Sequence, residues 1–298
     1  MMASIYRSIR PGPDGVRSLL EQEWLATNGL GGYASGTVSG AATRRFHGYL
    51  VAALPAPRGR VMYFNQLSEH VVDSNGDRVL LSGDNTMDNL PLIEFRLDMG
   101  LPVWIYEIGS TRLEKRLVLP HLRNTVCISW SLLAGSETIT LYLRPAINFR
   151  PHEGFLADFS AAPYRINVDT NRYEVSAAID LPSLKWILDG GESRFVPDER
   201  VTQDHYYAME SDRGYDSLGV LWSPGQFVAH LAPGESFTLV ASCEDWHTVT
   251  SATPSEMYQA ELTRRHHLLL WAPPEVRTGV GGELVLAADQ FIVTPMGC

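Results

Sequence analysis

From about residue 49 to 242 the chain is written in short alternating apolar and polar segments, rich in valine, isoleucine and aromatics and divided by turn residues. This period of two constrains the fold most, because successive side chains of a strand point to opposite faces of a sheet. The clearest segments are Val103 to Ile108, Arg112 to Leu119, Thr125 to Leu132, Thr138 to Leu143, Tyr173 to Ala177, Ser217 to Trp222, Phe227 to Leu231 and Phe237 to Ser242. Gly109, Gly135, Gly214, Pro224, Gly225, Pro233 and Gly234 stand between them as turn residues. With no helical period over this span, the pattern predicts a mainly β protein, a large antiparallel β-sandwich, with a barrel as the weaker alternative. A hydrophobic content of 45% in 298 residues supplies the core. Asn75 and Gly76, between Val71 and Leu80, predict a hairpin whose two central residues take positive φ. The stretch from Ser183 to Asp204 is too mixed to assign and reads as irregular.

At Thr253 the pattern changes. Thr253, Pro254, Ser255 and Glu256 form a capping box with proline at the first helical position, and Pro273 with Pro274 stop the helix that follows. Met257, Leu262, Leu269 and Leu270 share its broad apolar face. After a break at Gly279, Gly281 and Gly282, a second helix is expected over Glu283 to Val293. Its apolar residues Leu284, Leu286, Phe291 and Ile292 call for a partner, which is either the sandwich itself or a further domain. The organisation expected is a sandwich over residues 1–250, a linker helix over 251–278 and the start of another domain over 279–298.

Charge and composition exclude several functions. A net charge of −10 disfavours nucleic acid and anionic membrane surfaces. The opening MMASIYRSIR has no apolar signal core, and no stretch approaches the roughly 20 apolar residues of a membrane helix. Cys127, Cys243 and Cys298 are scattered and odd in number, which predicts reduced thiols in the cytoplasm and neither a disulfide framework nor a zinc site. His266 and His267 are adjacent on a helix and cannot share a metal, so they are read as surface residues. Gly29, Gly31 and Ala34 match a dinucleotide fingerprint only loosely and lack the βαβ unit it requires, and no P-loop is present. No cofactor and no metal are expected.

Candidate site residues fall in three polar and aromatic clusters. The first lies in EWLATNGLGGYASGTVSGAATRRFHGYLVAAL, Glu23 to Leu54, where glycines permit close backbone approach and Asn28, Tyr33, Arg44, Arg45 and His47 bring polar groups. This suits a hydroxyl-rich ligand; a salt-bridged sheet edge is the alternative. If a strand already begins there, Arg44 and Arg45 face opposite sides, with His47 on the side of Arg45. The second cluster holds Arg144, Asn148, Phe149, Arg150 and His152, and the same residues would equally anchor a loop. The third, Tyr206, Tyr207, Arg213 and Tyr215, offers a stacking platform or core aromatics. Trp24, Trp104, Trp130 and Trp186 sit in apolar contexts and are assigned to the core. Glu94, Glu107, Glu153, Asp158, Glu244 and Asp245 are dispersed, so no catalytic carboxylate pair is visible.

Together the signature at 23–54, LEKRLVLPHLRNTV at 113–126, LYLRPAINFRPHEG at 141–154, RGYD at 213–216, SPGQF at 223–227, LAPGES at 231–236 and AADQFIV at 287–293 resemble bacterial and archaeal glycogen debranching enzymes of the amylo-α-1,6-glucosidase type. The resemblance implies an N-terminal glucan-contacting β-sandwich and a C-terminal (α/α)6 barrel that hydrolyses α-1,6-linked glucose stubs. AADQFIV resembles the first helix of that barrel, so this chain is expected to carry a truncated barrel and no catalytic residues of its own. Its expected partners are glycogen or α-glucan oligosaccharide and the barrel. Ala42 and Phe46 depart from the asparagine and tyrosine usual in the family. Two other readings stand beside this one. A mutarotase-like sandwich would recruit His121, His152 and Glu244 for proton transfer, and a purely structural module would bind no ligand.

Overall fold

A computed structural model of the protein describes residues 5–12, 15–73, 75–82 and 90–294. Cys298 and most of the terminal TPMGC segment lie outside these residues. The strands form one nine-stranded and two five-stranded sheets, with every named pairing antiparallel. In spatial order the large sheet runs Tyr6–Ile9, Leu92–Asp98, Leu101–Ile108, Thr111–Val118, Thr125–Ala134, Ser236–Ser242, Leu184–Asp189, Arg172–Ser176 and Arg165–Asp169. The second sheet runs Glu192–Tyr206, Leu218–Leu231, Ile139–Ala146, Gln66–Val72 and Arg78–Leu80. The third runs Arg150–Pro151, Gly59–Phe64, Gly48–Leu54, Tyr33–Thr37 and Glu23–Thr27.

One face of the large sheet packs on the two smaller ones, and the core lies between them. The expected tryptophans are all there. Trp24 meets Trp104 edge-on with ring centroids 5.4 Å apart, and Trp186 bridges to Phe64 and Phe227. On its other face the large sheet carries Leu101, Val118, Cys127 and Val240, which the helix Pro254–Trp271 covers with Met257. Alternation thus buries both sets of side chains at once. Cys127 and Cys243 are free and buried.

Four expectations change. The Asn75–Gly76 hairpin exists, but its strands are joined over residues 73–77. The Asp73 carboxylate accepts the amides of Asn75 and Asp77, and in the pair only Gly76 takes a positive φ. Pro224 and Gly225 make no turn. Leu218–Leu231 is one strand, and Gly225 at φ +153° lies opposite Pro197 beside a bulge where the register shifts. The mixed stretch from 183 holds Leu184–Asp189 and the 15-residue strand Glu192–Tyr206, which is mostly exposed and so has no buried face to impose alternation. Finally, Glu23–Thr27 and Tyr33–Thr37, absent from the expected strands, pair with each other, so the glycine-rich signature contains a hairpin.

The capping box forms as expected: Thr253 Oγ1 accepts the amide of Glu256 at 3.2 Å, and the Glu256 carboxylate accepts the amide of Thr253 at 2.8 Å. On this helix Leu270 faces solvent and the charged Glu261 and Arg265 are buried, contrary to a simple apolar face. The second helix spans Gly279–Asp289, starting within the glycine break. Leu286 joins Ile5, Met99 and Leu269 in a small core, while Leu284, Phe291 and Ile292 remain exposed.

Candidate functional site

At the edge of the third sheet formed by the strand Arg150–Pro151, the first two sequence clusters come together. The register pairs Arg150 with Met62 and so sets His152 beside the strand Gly59–Phe64, its amide donating to Arg60 O at 2.9 Å. The His152 ring lies 4.7 Å from that of Phe46 at 31° and stands edge-on to Tyr33. Its Nε2 is 2.7 Å from Tyr33 Oη, and its Nδ1 is 3.0 Å from the Glu153 carboxylate. Burial lowers the His152 pKa against the opposing pull of Glu153. The Tyr33 hydroxyl donates to Phe46 O at 3.0 Å. Burial holds the Tyr33 hydroxyl at about 12, so it stays a phenol.

Arg45 caps this aromatic group, its guanidinium 5.5 Å from the Phe46 ring and donating to Gly154 O. Beneath it, the buried Arg150 donates to the carbonyls of Arg45 at 2.5 Å and His152 at 3.1 Å. Burial lowers its pKa. Burial also pushes the Tyr207 phenol up to about 12 against the pull of the neighbouring Arg150. The third cluster joins here as well, since Glu210 Oε1 accepts the Arg45 amide at 3.1 Å. The result is a half-exposed patch of Tyr33, Phe46 and His152, flanked by Arg45.

The remaining candidates lie elsewhere or face inward. Asn28 is fully buried; its carbonyl oxygen accepts the amides of Leu30 and Gly32 at 2.9 Å, and its Nδ2 donates to Arg123 O at 2.9 Å. Asn148 is buried too and donates to Asp158 O. His47 Nδ1 accepts the amides of Thr43 and Arg44, while Glu23 binds Arg44 at 2.5 Å and lies 3.6 Å from His47 Nε2. These three residues form the salt-bridged sheet edge weighed as the alternative. The Glu23 carboxyl falls to about 2 through its hydrogen bond to His47, against partial burial, with Arg44 adding to the drop. Arg144 lies on the second sheet, bound to Asp198, and Tyr215 is exposed beyond the helix Ala208–Asp212. Glu244 accepts the amide of Asn124 and the hydroxyl of Thr125. Among the described residues no group of histidine, cysteine and carboxylate side chains could hold a metal ion. Tyr207 already stands in the third cluster, and Phe46 enters the sequence reading only as a departure from the family; sequence reasoning missed Glu210, because no local pattern signals its bond to the distant Arg45 amide.

The signature hairpin has a second neighbour. Thr294 donates to Gly29 O at 2.7 Å, and Arg60 Nε donates to Gly31 O at 2.7 Å. Gly29 carries φ +73°, and a Cβ there would fall 2.4 Å from the His121 ring.

The family described as glycogen debranching enzyme N terminal matches residues 22–238, which contain the whole aromatic patch. The chain belongs to this family. No curated protein matches it. Among solved structures, a bacterial glucoamylase complexed with acarbose is 11% identical with a TM-score of 0.40, the match covering 90% of this chain and 41% of that one. A polysaccharide lyase is 14% identical with a TM-score of 0.34, over 84% of this chain and 35% of that one. This glycogen debranching N-terminal chain therefore spans less than half the length of either structure. Among its described residues no helix is long and apolar enough to cross a membrane.

Proposed function

We propose that this domain recognises α-glucan and scaffolds a glycogen debranching enzyme whose full-length form hydrolyses α-1,6-glucosidic branch stubs. The observation that supports it best is the patch of Tyr33, Phe46 and His152 with Arg45, which offers aromatic faces and fixed polar groups within the matched span. Sugar rings stack on such faces while their hydroxyls meet donors and acceptors at the rim. A neutral glucan also suits an acidic chain. Phe46 in place of the family's tyrosine keeps the stacking surface and removes a hydroxyl. The exposed Val280, Leu284, Phe291 and Ile292 provide a face for the catalytic barrel of the full-length enzyme.

Titration with maltoheptaose, followed by amide NMR, tests the binding half. Resonances of residues 31–47 and 150–155 shift saturably, and Phe46→Ala or His152→Ala weakens binding at least tenfold. If those resonances stay unmoved, the patch has no role in glucan recognition.

A further inference from the structure

The face of the second sheet turned away from the core carries a hollow of about 380 Å³. Register sets its floor: Tyr142 pairs with His70 and Arg144 with Ser68 across neighbouring strands, so all four point outward together. The His70 and Tyr142 rings lie parallel within 2°, with centroids 4.6 Å apart. Arg144 donates to the Asp198 carbonyl at 2.9 Å and to its carboxylate at 2.5 Å, and Arg200 reaches that carboxylate at 2.7 Å. Arg78 enters from the edge strand, with Nη2 3.3 Å from His70 Nδ1.

Three guanidinium groups, Arg78, Arg144 and Arg200, therefore line one hollow, and of these Arg144 and Arg200 share the carboxylate of Asp198. This concentration of positive charge sits in a chain of net charge −10. Gathering like charges in a concave site costs free energy unless an anion joins them. Asp198 already shows that the Arg144 and Arg200 groups accept an oxyanion, and guanidinium forks match phosphate oxygens in the same way. The volume falls in the range of small-molecule sites, which leaves room for more than a bare ion. Ser68 and Gln226 add a hydroxyl and an amide at the wall, and Tyr142 adds an aromatic surface.

We propose that this hollow binds a hexose phosphate, its phosphate held by Arg78, Arg144 and Arg200 and its ring hydroxyls met by Ser68 and Gln226. The site is separate from the glucan patch and takes a charged ligand instead of a neutral one. Calorimetric titration at fixed ionic strength with glucose 6-phosphate, inorganic phosphate and glucose tests it. Glucose 6-phosphate binds saturably and at least tenfold more tightly than either comparison ligand. Arg144→Gln and Arg78→Gln each weaken it by about tenfold or more, as loss of a charge-assisted contact implies. Phe46→Ala leaves it unchanged. Arg78 is exposed at the sheet edge, so its variant serves even where Arg144→Gln perturbs folding. Absence of saturable binding, equal affinity for inorganic phosphate, or undiminished binding in an Arg78→Gln protein with unaltered circular dichroism overturns the proposal.

Discussion

Lys115 places a buried cation inside the core. Its ammonium, 2% exposed, donates to the fully buried Glu69 carboxylate at 2.5 Å and to Tyr49 Oη at 3.2 Å. Trp130 Nε1 completes the group by donating to Glu69 at 3.0 Å. Burial alone would lower the Lys115 pKa, but the carboxylate outweighs it and raises the value, so the lysine is charged. Lys115→Met strands a buried anion and is expected to cost about 3–5 kcal/mol, read from urea unfolding. Adding Glu69→Gln to that variant restores much of the loss, since no lone charge then remains. Glu23 gives a pH prediction of definite sign. Its carboxyl is lowered from 4.5 to about 2 in the fold, so its contribution is present above the unfolded value and disappears as pH falls toward 2. Glu23→Gln flattens the acid limb of thermal stability between about pH 5 and 2, and an unchanged limb would contradict this. At this scale the sequence was least legible. Asn28, His47, Asn148 and Arg150 look like ligand-binding groups in a string of letters, yet the fold buries them against backbone donors and carbonyls.

Among the elements, the strand Leu218–Leu231 and its partner Glu192–Tyr206 show how a local signal misleads. Proline followed by glycine reads as a turn, but Gly225 lies within the strand beside a bulge, and a Cβ there would sit 2.3 Å from Val196 O. Gly225→Ala should therefore destabilise by roughly 1–3 kcal/mol, shown by a lower denaturation midpoint, whereas Gly234→Ala, with open space around it, causes only the strain of its φ of +81°. Glu192–Tyr206 escaped detection because its exposed pattern carries no alternation. The helix Pro254–Trp271 was legible from its start, because a capping box and a terminal proline act within one turn of backbone. Its buried face was not: Arg264 joins Glu261 at 2.8 Å to Asp289 of the next helix at 2.7 Å, and Arg265 reaches Met99 O at 3.0 Å. Charged residues bury there because Glu261 is paired by both arginines of its own helix, which in turn reach Asp289 and Met99 O on other elements.

For the molecule as a whole, the stretch after the second helix sets exposed apolar side chains close to the signature hairpin. The segment around Thr294 crosses the signature hairpin, while Phe291 is 87% exposed and Ile292 65% exposed. A chain presenting these side chains is expected to self-associate, with light scattering showing species above the monomer that Phe291→Ser with Ile292→Ser removes. A monodisperse parent at high concentration would count against an apolar docking face. The sequence by itself determined the strand-rich class, the placing of the tryptophans inside and the capped helix after Thr253, because period-two burial and helix capping depend on near neighbours. Only the tertiary structure decided which polar residues converge. Tyr33 and His152 stand 119 positions apart and meet through strand register, and Arg144 was carried by the same register onto a different sheet face. Register joins residues through hydrogen bonds across the sheet, and nothing in the local order of side chains encodes which distant strand will lie alongside.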